Sequence, residues 1–127
     1  MHKTFLTLAS LLGALSVALG AFGAHGLKKI VPAETVSTFQ TGVQYQFYHT
    51  FALFLAAILY KEFPTNNIVW AGYAFIAGIL LFSGSLYVLT FLHDTQSVGL
   101  KRIGIITPIG GLFFIAGWVL LAMGLKK

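Results

Sequence analysis

The chain has 127 residues, with 8 basic side chains, 3 acidic ones and no cysteine. Hydrophobic residues make up 57% and charged ones 9%, against about 45–50% and about 25% in a soluble domain. With a mean hydropathy of +0.87, so few charges cannot dress a water-facing surface, which excludes a soluble enzyme, a disulfide scaffold and a disordered tail.

The charges sit at Lys3, Lys28, Lys29, Glu34, Lys61, Glu62, Asp94, Lys101, Arg102, Lys126 and Lys127. They leave four uncharged stretches, 4–27, 35–60, 63–93 and 103–125, each of 23 residues or more. About 20 residues cross the roughly 30 Å of hydrocarbon as a helix. No segment of about ten residues alternates as a barrel strand would. The prediction is one all-α domain over 1–127, an up-down antiparallel bundle of four transmembrane helices. Their approximate ranges are 4–27, 33–60, 67–92 and 103–125.

Helix 1 follows Met1-His2-Lys3 and ends in small residues, a pattern that imitates a signal peptide. Its apolar run is too long for one, so a retained first helix is the expectation. Gly20, Gly23 and Gly26 on this helix, Gly84 on the third, and Gly110 and Gly111 on the fourth are expected to bring helix backbones together. Helix 2 opens at Pro32, with Glu34 near the positive end of the helix. Pro64-Thr65-Asn66-Asn67 reads as a turn and a cap for helix 3. The third connection, His93–Arg102, is the longest and most polar, with His93 placed in solvent. Pro108 removes a helical hydrogen bond from helix 4 and predicts a kink there.

Helix 2 carries the one long polar stripe: Gln40, Gln44 and Tyr48, flanked by Thr41, Tyr45 and His49. Lipid penalises such a face, so it is expected to turn into the bundle, with Val43, Phe47 and Phe54 opposite. His49 lies 12 residues before Lys61, which puts it about 18 Å deep, near the bilayer centre. His25 is three residues before Lys28, roughly 4–5 Å inside the opposite edge, so the two differ in depth by about 8 Å. Ser83, Ser85 and Tyr87 on helix 3 are paired in expectation with His49. With Thr107 they complete a candidate interior polar site of His25, Gln44, Tyr45, Tyr48, His49, Ser83, Ser85, Tyr87 and Thr107. No catalytic residue, cofactor or metal site is expected. There is no His-xxx-His pair, no Glu-x-x-His motif and no acid to orient a Ser–His couple.

Four blocks carry a family resemblance. They are Gly20-Ala21-Phe22-Gly23-Ala24-His25-Gly26-Leu27, Tyr45-Gln46-Phe47-Tyr48-His49, Phe82-Ser83-Gly84-Ser85-Leu86-Tyr87, and Ile106-Thr107-Pro108-Ile109-Gly110-Gly111 followed by Phe114, Gly117 and Trp118. Together they resemble the YgdD-like small integral membrane proteins, a family of unknown function. The resemblance covers nearly the whole chain. It implies four transmembrane helices in the bacterial cytoplasmic membrane and no established substrate or catalytic residue. The chain departs from the pattern at Thr50-Phe51 and in a longer third loop.

The functional reading is a non-enzymatic structural or accessory membrane protein. Its partners are the lipid bilayer and either further copies or a larger membrane complex. One alternative is a small oligomeric channel or transporter that uses the helix 2 stripe with His49. A second is haem or metal binding through His25 and His49. Four basic side chains fall at each end of the bundle, so charge does not orient it, and both termini are placed in the cytoplasm. A net charge of +5 spread over both ends is not a nucleic-acid surface.

Overall fold

A computed structural model of the protein describes residues 1–92 and 98–126. Helix α1 spans Lys3–Ala24 and is followed by a 3-10 turn at Leu27–Lys29; α2 spans Ala33–Leu59. Helix α3 spans Asn66–Phe91, and α4 spans Val98–Gly124. No strand occurs among the described residues.

The cross-helix contacts fix the topology. The His2 amide donates to the Ala57 carbonyl at 3.0 Å, while Gly23 at the far end of α1 packs on Phe39 and Gln40. Helices α1 and α2 therefore run antiparallel along their whole lengths. In the same way Gly42 meets Leu86 and Tyr87, and Ala52 and Ala56 cluster with Ile68 and Ala71. Thr65 reaches Gly124 while Ser85 reaches Thr107. The result is an up-down antiparallel four-helix bundle with both chain ends at one end of it.

Among the described residues three segments are long and apolar enough to cross a membrane: Lys3–Lys29, Asn66–Phe91 and Ile103–Gly124. Helix α2 has 27 residues, about 40 Å of helix, yet it falls short in hydropathy. Its polar residues lower the mean. Because α2 lies beside α1 from end to end, it crosses wherever α1 does.

Local chemistry explains the boundaries. His2 Nδ1 accepts from the Phe5 amide at 3.2 Å and caps α1. Thr65 Oγ1 caps α3 by accepting from the Ile68 amide, and it donates to the Gly124 carbonyl at 3.3 Å. Pro32 is the cap residue of α2, one position before the first helical turn. Helix α4 begins at Val98, five residues before the expected start; Lys and Arg are good helix formers, so a charge marks the edge of an apolar stretch and not the end of a helix. Helix α4 runs on through Pro108 to Gly124. The expectations for His93 and for the length of the third loop lie outside the described residues.

Helix α3 carries one feature that no local pattern announces. Residues Ile79–Ser83 form a π-helical turn between Gly78 and Gly84. The widened turn inserts a residue into the helix and re-aims the side chains beyond it, a device frequent at functional sites and at kinks. Opposite it, a Cβ on Gly110 would collide with the backbone nitrogen of Phe82 and lie 2.7 Å from its Cα. Helices α3 and α4 touch backbone to backbone there.

Candidate functional site

Helix α2 is the hub of the interior. Its buried positions are Phe39, Gly42, Val43, Gln46, His49, Thr50, Ala52, Leu53, Ala56 and Ala57. Val43 is thus a core residue against Leu27 and Phe39, and not on an outer face. At membrane depth the polar groups of this core tie helix to helix, mostly through backbone carbonyls. Gln46, 1% exposed, accepts from the Tyr87 hydroxyl at 2.6 Å and donates to the Leu12 carbonyl at 3.2 Å. That joins α3 through α2 to α1. Ser83 Oγ donates to the Gly42 carbonyl at 2.7 Å, and Gln40 donates to the Gly20 carbonyl at 3.3 Å. Ser85 Oγ donates to Phe82 O and shares a hydrogen bond with Thr107 Oγ1 on α4.

His49 is held on both sides. The indole of Trp118 donates to Nε2 at 3.1 Å, and an indole N–H can only donate. Nε2 is therefore the acceptor, which leaves the proton on Nδ1, 2.8 Å from the Tyr45 carbonyl that it reaches. This is the neutral Nδ1–H tautomer, fixed by its neighbours. The ring also stacks on Phe114, with centroids 3.5 Å apart and planes 10° apart. A second proton on Nε2 would point at the indole N–H, so protonation requires Trp118 to leave. Beside the imidazole, a cleft of about 480 Å³ lies between Tyr45, Phe82, Pro108, Phe114 and Trp118.

Several expectations are corrected here. The polar stripe of α2 does not turn inwards as a whole. Gln44, Tyr45 and Tyr48 are exposed, and Gln44 and Tyr48 hydrogen-bond one another on the outside. The buried face of α2 is set by where α1 and α3 pack, and the small residues Gly42, Ala52, Ala56 and Ala57 lie on that side. His49 bonds to none of Ser83, Ser85 and Tyr87, each of which has its own partner. His25 is exposed at the end of α1. Gly13 packs on Thr50, so His49 is level with about residue 13 of α1, and His25 lies roughly 18 Å further along the axis. The two histidines cannot clasp one haem or metal. The described residues contain no group of three His, Cys, Asp or Glu side chains that could hold a metal ion.

Of the glycines expected to pack helices together, Gly20 and Gly23 face α2, Gly110 meets α3, and Gly111 is in ordinary contact with the Phe82 ring. Gly26 lies past the end of α1, and the nearest atoms a Cβ there would meet belong to Phe22; one on Gly84 would meet only the Ile79 carbonyl at 4.0 Å. The tight contacts at Gly42, Gly72, Gly78, Gly117 and Gly124 belong with them. Gln46 is the interior residue missed by the stripe. It shares the side of α2 opposite the stripe with Thr50, and the sequence marked it through the block Tyr45-Gln46-Phe47-Tyr48-His49 and not through the stripe's period.

Sequence comparison adds to this picture. A family model described as "Protein of unknown function (DUF423)" matches residues 19–111. The chain belongs to this family. Among DUF423 relatives it is similar to a UPF0382 membrane protein of Haemophilus influenzae, 43% identical over 100% of this chain and 97% of that one. It is 40% identical to the UPF0382 membrane protein YwdK of Bacillus subtilis over 98% of both chains. It is also 39% identical to the UPF0382 inner membrane protein YgdD of Escherichia coli, over 96% of this chain and 88% of that one. The resemblance drawn from the four blocks is thus borne out. No solved structure matches. The DUF423 description attaches no activity to the family, and this protein stands as an integral membrane protein within it.

Proposed function

We propose that the protein is a non-enzymatic accessory component of the bacterial cytoplasmic membrane, a rigid bundle with a closed interior. The observation that carries this reading is the engagement of His49 by Trp118 and the Tyr45 carbonyl together, at 3.1 and 2.8 Å. A proton relay needs a group that gains and loses protons, and a metal or haem ligand needs a free lone pair. His49 offers neither while Trp118 is in place. Gln44 and Tyr48, which a pathway through one copy would need, are on the outside. The inner-membrane name of the E. coli relative supports the compartment.

Purified protein in liposomes loaded with a pH-sensitive dye is expected to pass protons no faster than empty liposomes. A flux above that level, lost in His49→Phe, would overturn the reading in favour of transport. Both termini are placed on the cytoplasmic side. A C-terminal green fluorescent protein fusion is then expected to fluoresce in cells, and a dark, fully expressed fusion would reverse the orientation.

A further inference from the structure

We propose that the outer face of α2 is the seam on which two copies of this chain pair, side by side about a twofold axis along the bilayer normal. Gln44, Tyr48, Phe51, Leu55 and Ile58 are spaced 4, 3, 4 and 3 residues apart, and all five are exposed. Tyr48 is 51% exposed and Phe51 60%. That spacing is the 3.5-residue repeat by which one helix follows another, carried on the side of α2 that α1 and α3 leave uncovered.

Depth makes lipid a poor cover for this face. Gln44 lies 11 residues beyond Ala33 and 15 before Leu59, about 16 and 22 Å from the helix ends, so it sits near mid-membrane. Gln44 Nε2 donates to the Tyr48 hydroxyl oxygen. The Gln44 carbonyl oxygen, its second N–H and the Tyr48 hydroxyl proton have no partner among the described residues. Hydrocarbon offers none, and unpaired polar groups there are costly.

What these groups lack defines the partner. One acceptor and two donors form a self-complementary set. A twofold axis along the bilayer normal brings the same set from a second copy to the same depth, so each carboxamide oxygen can accept from the other copy. Such an isologous contact closes with two chains. No formal charge lies between Thr35 and Tyr60, so nothing on the seam repels its own copy. The pairing also explains why α2 carries Gln44 and Tyr48 outwards while Gln46 and His49 are buried.

The chain has no cysteine, so single cysteines report contact without background. Phe51→Cys and Leu55→Cys in native membranes, mildly oxidised, are expected to give a disulfide-linked dimer. Trp70→Cys and Leu80→Cys, at positions 60% and 68% exposed on α3, are expected to remain monomeric. Adding Gln44→Leu to Phe51→Cys is expected to lower the linked fraction about tenfold, the scale of a lost interhelical polar pair. The melting temperature of Gln44→Leu in detergent checks that the monomer still folds. Equal linking at seam and α3 positions, linking indifferent to Gln44→Leu, or linkage only to another membrane protein would each overturn the proposal. None of these results depends on proton flux, so failure here leaves the closed-interior reading standing.

Discussion

Gly110→Leu is expected to lower the stability of the bundle by more than about 3 kcal/mol, the upper end of ordinary overpacking costs, so that little folded protein survives in detergent. The reason is what the new side chain would meet. At Gly110 the first added carbon collides with the Phe82 backbone nitrogen, and it lies 2.8 Å from the Leu81 carbonyl carbon. A side chain can swing away, but this backbone sits in the π-helical turn Ile79–Ser83 and is held by Ser83 on Gly42 and Ser85 on Thr107. Helices α3 and α4 would have to separate, which also exposes the hydrogen bond between Ser85 and Thr107. Gly104→Ala is the control, since a Cβ there meets nothing within 4 Å. It is expected to be neutral, or to gain up to about 1 kcal/mol from helix propensity. Thermal unfolding followed by the fluorescence of Trp70 and Trp118 compares the two. A Gly110→Leu melt close to that of the natural protein would show that α3 and α4 do not approach this closely.

The second large effect is expected at Gln46. Interhelical side-chain hydrogen bonds in membranes average about 0.6 kcal/mol and reach about 1.7. Gln46 makes two of them, to Tyr87 and to the Leu12 carbonyl, and it is fully buried. Gln46→Leu keeps most of the volume but removes both bonds and strands the Tyr87 hydroxyl, a loss of about 2–4 kcal/mol in all. Adding Tyr87→Phe removes the stranded group as well, so the double variant is expected to be more stable than the sum of the single losses predicts. Thr50→Val, one turn further along the same buried face, is the contrast. The Thr50 hydroxyl is buried without a hydrogen-bond partner, so its loss is expected to be neutral or slightly stabilising. Additive single and double variants would break the proposed link from α3 through α2 to α1.

The number of helices, their order and the membrane class were legible in the amino-acid sequence. Runs of 23 or more uncharged residues between charges have one inexpensive solution in a bilayer, because helices satisfy their own backbone. So was the family, through four blocks of Gly, His, Ser and aromatic residues in order. The cap at Thr65 was legible for a local reason, since an oxygen three residues before an amide is a matter of spacing alone.

Facing depended on how the helices pack. The stripe of Gln44, Tyr45 and Tyr48 has a helical period, but a period says which residues share a side and not which side is covered. In water the polar side would face out. In lipid the inside–outside contrast weakens, and close packing of Gly42, Ala52, Ala56 and Ala57 against α1 and α3 chose the buried side. The same packing put Trp118 on His49, 69 residues apart in the chain, and Gly110 on the π-helical turn of α3. Contacts of that range depend on how four helices rotate and slide against one another. Those rotations are fixed by shape at many small contacts together, and no local pattern in the sequence encodes them.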